Sequence, residues 1–334
     1  MDRFVERVLA DPWTERAAKY VGWAFQAFLL GWFAWQTWMR LSLFFRLNFP
    51  IGIDARIYYR GVAAWLDGSN PWDAAVTVGG AAYHYAGSPV TTILLAWSAL
   101  FSEDVFTVLW LGLSLGAAVF TLHRVHLPIW WLLFPPISEA LFSGNPQLVV
   151  LALILCNSSW LAAIGTGLKV YAFIPLAGEG RWRTIGLAVL LNAATFLIAP
   201  DLWFRYIDEF SQISSRLQYE SIEGFSAFYF PMLLAVTVVA LAILALRDRR
   251  AAGWLTVPAI WPASQLHYST MALPVMSPFL AVFLAVPLLR LPPQIIIVEV
   301  VRRLIAPSVT GYIARHRIRG GPAGESAPTA EQAT

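Results

Sequence analysis

The feature that most limits what this chain can fold into is a succession of apolar runs, too long and too numerous for one soluble core. Clear runs cover residues 20–38, 105–122, 127–142, 184–200, 229–246 and 270–289. The stretch 147–178 is apolar apart from Asn157-Ser158-Ser159 and Lys169, and reads as three short segments, 147–156, 160–168 and 170–178. Residues 253–264 add another, interrupted by Pro258 and Pro262. A helix needs about 20 predominantly apolar residues to cross a bilayer. Charged residues make up 13% of the chain and hydrophobic ones 58%. An ordinary globular domain carries roughly 25% charged residues, so this chain has too little charge to cover a soluble surface. Its 16 Trp and 21 Phe suit membrane interfaces, where amphipathic rings anchor helices. The expected fold class is all-α, a polytopic integral membrane protein of about ten transmembrane segments.

Charge then sets the orientation. With the N-terminus in the cytoplasm, the inner pieces are 1–19, 123–126, 178–183, 247–250 and the tail from Arg290. They hold 16 of the 23 basic residues. Outside remain Arg40, Arg46, Arg56, Arg60, Lys169, Arg205 and Arg216. This division follows the positive-inside rule, and the reverse orientation would invert it. The expected organisation is a cytoplasmic segment 1–19, a transmembrane domain 20–289 and a cytoplasmic tail 290–334, polar and disordered from Gly320. Two external loops, about 39–104 and 200–228, are long enough to read as functional. No small-residue cleavage site follows the first apolar run, so it is expected to stay as the first transmembrane helix of a multi-pass cell-membrane protein.

Several function classes drop out. No basic stripe interleaved with aromatics points to nucleic acid. The one cysteine, Cys156, excludes an internal disulfide and a cysteine metal cluster and reads as core packing. There is no H-E-x-x-H, no P-loop and no dinucleotide fingerprint, so neither a metal nor a cofactor is expected.

The first external loop carries the chemistry. The spacing predicts a helix over 55–66, with Ile57, Tyr58, Gly61, Val62, Trp65 and Leu66 forming one apolar stripe. Arg56 and Arg60, four apart, share another face. Such a helix lies in the membrane interface with its arginines at the height of lipid phosphates. Asp67-Gly68-Ser69-Asn70-Pro71 ends it, and Asp67 and Asp73 read as turn residues. Asp54 stands just before the helix, where it is either an N-cap or a carboxylate able to take a proton from a hydroxyl. Lys169 is a charge inside an apolar run, which is costly and usually functional, unless it snorkels to the interface. Arg56 and Arg60 suit phosphate by their forked geometry, or are simply solvated. Gln147, His84 and His267 are candidate hydrogen-bonding groups, or ordinary satisfied polar residues. Asp201, Asp208, Glu209, Glu220 and Glu223 in the second loop read as solvated acids, one of which can bind acceptor hydroxyls.

Four stretches, in order, carry a resemblance. They are Asp54-x-x-x-Tyr58-Tyr59…Leu66-Asp67-Gly68-x-x-Pro71-Trp72-Asp73 with Tyr83-His84-Tyr85…Pro89, then Ser143-Gly144-Asn145-Pro146-Gln147, then Gly165-Thr166-Gly167-Leu168-Lys169-Val170-Tyr171, and last Trp261-Pro262…His267-Tyr268. Together they resemble glycosyltransferase family 87, the GT-C-type, polyprenyl-phosphate-mannose-dependent mannosyltransferases of bacterial envelopes. The family has Tyr-Pro-Pro where this chain has Tyr85-Ala86-Gly87-Ser88-Pro89. It has Gly-Gln adjacent where Asn145 and Pro146 intervene here, and a Pro soon after the lysine where this chain waits until Pro175.

The resemblance implies a GT-C fold over residues 20–289, with a long first external loop bearing interfacial helices. It implies an inverting transfer of a sugar, mannose first among candidates, from a polyprenyl-phosphate donor to a lipid or glycan acceptor at the outer (periplasmic) face. Asp54 would be the base. Lys169, Arg56 and Arg60 would hold the donor phosphate, and Tyr58, Tyr85, Gln147, His267 and Tyr268 would contact substrate. The alternatives are a transporter or flippase of lipid-linked sugars, and a non-catalytic subunit with a transferase fold.

Overall fold

The computed structural model describes residues 12–220, 225–262, 265–288 and 291–319. The chain divides into two units, residues 28–300 and the paired terminal segments 1–27 and 301–334. The described parts of the terminal unit are helical. They belong to α1 (Pro12–Arg46) and to α14 (Leu291–Arg319). The fourteen carboxy-terminal residues expected to be disordered, together with Gly320, lie outside the described residues.

The larger unit is helical apart from one small hairpin. Its elements are the rest of α1, α2 (Ile53–Leu66), β1 (Ala75–Val78), β2 (Ala81–His84), α3 (Pro89–Leu94), α4 (Glu103–Arg124), α5 (Pro135–Ser143), α6 (Gln147–Leu155), α7 (Ser159–Leu168), α8 (Phe173–Gly178), α9 (Trp182–Ile198), α10 (Pro200–Glu220), α11 (Pro231–Ala245), α12 (Arg249–Ile260), α13 (Pro278–Phe283) and the start of α14. Short 3₁₀ turns join them, the longest at Leu266–Val275. Among the described residues only α4 is long and apolar enough by itself to cross a membrane. The number rises to three if the bent pairs α5–α6 (116°) and α9–α10 (105°) each count as one span. Large apolar side chains stay exposed along α4, α9 and α11, among them Val108, Leu113, Leu190, Leu197, Val239 and Met232.

Several expected segments change form, each for a local reason. The apolar run 127–142 is not one helix. Pro128 and Pro135 bracket a 3₁₀ turn, and α5 begins only at Pro135, because proline lacks the donor that would continue a helix through it. The run 270–289 likewise breaks into the 3₁₀ helix and α13, which Pro274 and Pro278 punctuate. The expected external loop 200–228 is mostly the 21-residue helix α10, while residues 221–224 lie outside the described residues. The loop 39–104 begins later than expected, since α1 runs on to Arg46, and it contains an antiparallel hairpin with Ala75 opposite His84 and Val78 opposite Ala81. Gly79 and Gly80, at φ 58° and 86°, form its two-residue turn, which needs positive φ at both positions. By contrast the three segments read from 147–178 match α6, α7 and α8 closely.

The two expected loops are pinned together by polar contacts. Arg205 donates to the Ser69 carbonyl at 3.2 Å, and Arg216 to the Trp72 carbonyl at 2.7 Å and to Asp73 at 3.2 Å. Asn70 donates to Glu209 at 2.8 Å. Trp72 is fully buried and donates its indole N–H to the Gly87 carbonyl at 2.9 Å.

Candidate functional site

Two glycines set the site. Gly52, at φ 76°, caps the start of α2, and its N–H donates to the Phe142 carbonyl at the end of α5. A Cβ on Gly52 would lie 2.4 Å from the Thr107 methyl, so any larger residue would force a shift there and strain the positive φ. Gly144, at φ 69°, ends α5 with Ala55 and Gly52 packed against it. This close seating brings the first turn of α2 to the bend between α5 and α6.

At that bend the Asn145 amide is fixed at both ends. Its Oδ1 accepts from the Gln147 N–H at 3.1 Å, and its Nδ2 donates to Asp54 Oδ2 at 2.9 Å. Asp54 is thus not the N-cap of α2; Gly52 is. Its half-buried carboxylate takes a hydrogen bond from Asn145, and among the described residues no second donor reaches it.

One turn along α2, Tyr58 is buried. The Lys169 ammonium lies 5.7 Å from the Tyr58 ring centre and 5.9 Å from that of Tyr268, within range of a cation–π attraction. Burial pushes the Tyr58 phenol above its ordinary pKa. The Lys169 charge and a hydrogen bond from Lys169 pull it back, and Tyr268 and Asp54 push it up again. The phenol therefore senses both the Asp54 carboxylate and the Lys169 ammonium. No carboxylate among the described residues forms an ion pair with Lys169.

The remaining candidates separate into those near this centre and those turned away. Gln147 is fully buried; its Oε1 accepts from the Tyr171 hydroxyl while its Nε2 has no partner among the described residues. The Tyr171 ring packs against Tyr268 at 5.1 Å and Trp261 at 5.4 Å. His267, 1% exposed, lies tilted against Tyr268 at 4.8 Å and shares a 3.4 Å contact through Nδ1 with Glu139, while its Nε2 has no partner among the described residues. Glu139 is also bound by Arg40 at 2.6 Å. Tyr85 packs edge-on against Tyr58 at 5.5 Å, and its hydroxyl is bonded to Thr92 at 2.8 Å.

Arg56 and Arg60 lie elsewhere. Arg56 reaches Glu103 at 3.1 Å and Asp104 at 2.8 Å; Arg60 reaches Glu103 at 3.0 Å and the Ala75 carbonyl at 3.0 Å. They staple α2 to the first turn of α4, whose N-terminus favours these acids in its own right. His84, on β2, has its pKa pushed below the ordinary value by burial and by the Arg216 guanidinium. Cys156 is half-buried at the end of α6, not core. Asp67 ends α2 as its C-cap. Of the second-loop acids, Glu209 bonds Asn70 and Glu223 lies outside the described residues. Among the described residues no three His, Cys, Asp or Glu side chains gather as a metal would need.

Sequence reasoning passed over Glu139, Asn145 and Tyr171. Glu139 had a signal: it is the lone acid in the run 127–142, and an ionisable group in such a run marks function or a buried partner. Asn145 had none, since its value comes from a contact made across the fold. No family model, curated protein or solved structure matches this chain.

Proposed function

We propose that this protein is a membrane-embedded glycosyltransferase of about ten transmembrane segments and GT-C type, similar to glycosyltransferase family 87. It moves a sugar, mannose in the first instance, from a polyprenyl-phosphate donor to a lipid or glycan acceptor at the outer face of the cytoplasmic membrane. The observation that carries the reading is that the Lys169 ammonium, which has no acid partner among the described residues, lies 5.7 Å from the ring of Tyr58, one turn along α2 from the Asp54 carboxylate.

The chemistry follows from those two charges. Asp54 takes the proton of the acceptor hydroxyl. The freed oxygen forms a bond to the anomeric carbon as the bond from that carbon to the phosphate oxygen breaks, and the electron pair leaves with the polyprenyl phosphate. The new negative charge faces Lys169, where a fixed cation does most because it acts on charge that appears in the transition state. Asn145 holds Asp54 in place while leaving it capacity to accept a proton. A single displacement turns a β-linked donor into an α-linked product. The unpartnered Nε2 atoms of Gln147 and His267 supply hydrogen bonds for sugar or acceptor hydroxyls, since a buried polar group without a partner is costly until a ligand satisfies it.

The membrane reading is supported by α4, by the two bent apolar pairs and by the outward apolar faces of α9 and α11. A soluble protein rarely exposes contiguous apolar surface of that kind. The 116° break between α5 and α6 keeps a second reading in view, a transporter of lipid-linked sugars, because broken helices also build substrate sites in transporters. Incubating the purified protein with radiolabelled polyprenyl-phosphate-mannose and membrane lipids separates the two. Label moving into a new glycolipid supports transfer; label crossing proteoliposomes while still attached to its polyprenyl carrier supports transport instead.

A further inference from the structure

Far along the sequence from Asp54, basic residues converge on a second cavity. A cleft of about 610 Å³ is lined by Arg124, His126, Cys156, Glu179, Arg181 and Arg250 among others. They come from the end of α4, the end of α6, the turn before α9 and the start of α12. Like charges drawn together repel unless compensated, and a cleft focuses the resulting field. The acid among them is Glu179, whose carboxylate is 3.2 Å from Arg250 and 4.0 Å from Arg181. It also accepts from the Trp254 indole at 2.9 Å. One carboxylate cannot balance three guanidiniums, so the cleft keeps an excess of positive charge.

The guanidiniums are held rather than loose. Arg124 donates to the Leu155 carbonyl at 3.3 Å and to Asn157 at 2.6 Å, and Arg181 donates to the Ile154 carbonyl at 2.5 Å. Capping the end of α6 accounts for these bonds, but each guanidinium carries five N–H donors, more than these bonds use. His126 adds to the pattern. It occupies a left-handed backbone position, φ 57°, just past the end of α4, where glycine is the residue without cost. It is one of the residues that line the cleft.

We infer that this cleft is a second ligand site, for a phosphate-bearing anion, built from Arg124, Arg181 and Arg250 with His126 beside them. Guanidinium forks match phosphate oxygens in pairs, and the cleft is large enough for a phosphorylated headgroup. This site does not depend on the sugar-transfer reading: none of its residues touches the Asp54–Lys169 centre. The phosphate can come from an anionic lipid headgroup or from a soluble ion.

Cys156, the chain's single cysteine, lines the cleft and reports on it without any substitution. The experiment compares modification of Cys156 in the full-length protein, in nanodiscs of zwitterionic lipid, by a sulfonate-bearing and an ammonium-bearing methanethiosulfonate. The expected result is faster reaction with the sulfonate reagent, on the order of tenfold, and a smaller preference in Arg124→Gln and Arg250→Gln. Slowing of that reaction by added inorganic pyrophosphate assigns a soluble source. Slowing only when phosphatidylglycerol is built into the disc assigns a lipid source. Equal rates with the two reagents, no slowing by either anion, or a Cys156 inert to both reagents would overturn the inference.

Discussion

The two faces of α2 hold their nearby cations in opposite ways. Beside the outer face of the helix, Arg56 and Arg60 meet Glu103 and Asp104, with every contact between 2.8 and 3.1 Å. Beside its inner face, Lys169 meets Tyr58 and Tyr268 and forms no ion pair with an acid among the described residues. A cation whose charge is already matched has little left for a ligand, and its role is to fix α2 on α4. A cation held by phenols keeps its charge for an arriving anion. The difference bears on the proposed phosphate role: what each cation is already paired with ranks Lys169 ahead of Arg56 and Arg60 as the candidate for it.

The comparison breaks most visibly at Asp54, one turn before Tyr58 on α2. Asp54→Asn keeps an acceptor for Asn145 but cannot take a proton, so mannose transfer should fall on the order of 10²–10⁴-fold while gel filtration still shows a folded protein. A near-normal Asn variant would move the base to the acids of α10, Asp201, Asp208 or Glu209. Next in size is Lys169→Ala, for which transfer should drop by roughly 10²–10³-fold, with donor affinity weakened as well. Unchanged turnover and unchanged affinity together would remove Lys169 from the site.

Smaller effects sharpen the contrast. Glu139→Gln leaves Arg40 without a carboxylate and His267 without its anionic neighbour. Stability should fall by about 1 kcal/mol, the low end for a lost charged partner because Arg40 reaches solvent, and the melting temperature in detergent should register it. An unchanged melting temperature would show that the Arg40–Glu139–His267 chain holds nothing together. Smallest is Arg60→Gln, expected to cost at most about 1 kcal/mol of stability and to leave donor affinity alone. If Arg60→Gln weakens donor binding as much as Lys169→Ala does, the two cations are equivalent and the comparison fails.

The legibility of the fold in the sequence tracks where the deciding interaction lies. Local rules were enough for α2, where apolar spacing and the Asp67-Gly68 stop are visible within a few residues, and for α6 to α8, where Asn157 and Lys169 mark the breaks. The hairpin was also legible in principle: Val76-Thr77-Val78 before Gly79-Gly80 carries the turn signal, but an expectation of helices alone passed over it. Pro135 and Pro274 should have split their runs on the same local grounds. The site was less legible. That Asp54 meets Asn145 depends on Gly52 and Gly144 letting two elements approach, and that Arg60 meets Glu103 depends on how α2 lies on α4. Neither contact is encoded by spacing along the chain.

Tyr85 has a consequence of its own. Its ring fills the space beside two residues without side chains: a Cβ on Gly61 would lie 2.4 Å from the ring, and one on Gly87 would lie 2.1 Å from the hydroxyl. The three positions therefore divide a single volume, and their mutational effects are tied in sign. Gly87→Ala should be harmful while Tyr85 is present and tolerable once Tyr85 is shortened to leucine, which removes the hydroxyl end of the ring that the new Cβ would meet, so either step alone is a loss that the other can reverse. A library that varies these positions one at a time would score both as immutable. One that varies them together would find a path between two packings of the same pocket wall, and with it a way to reshape the surface that Tyr58 shares with Tyr85.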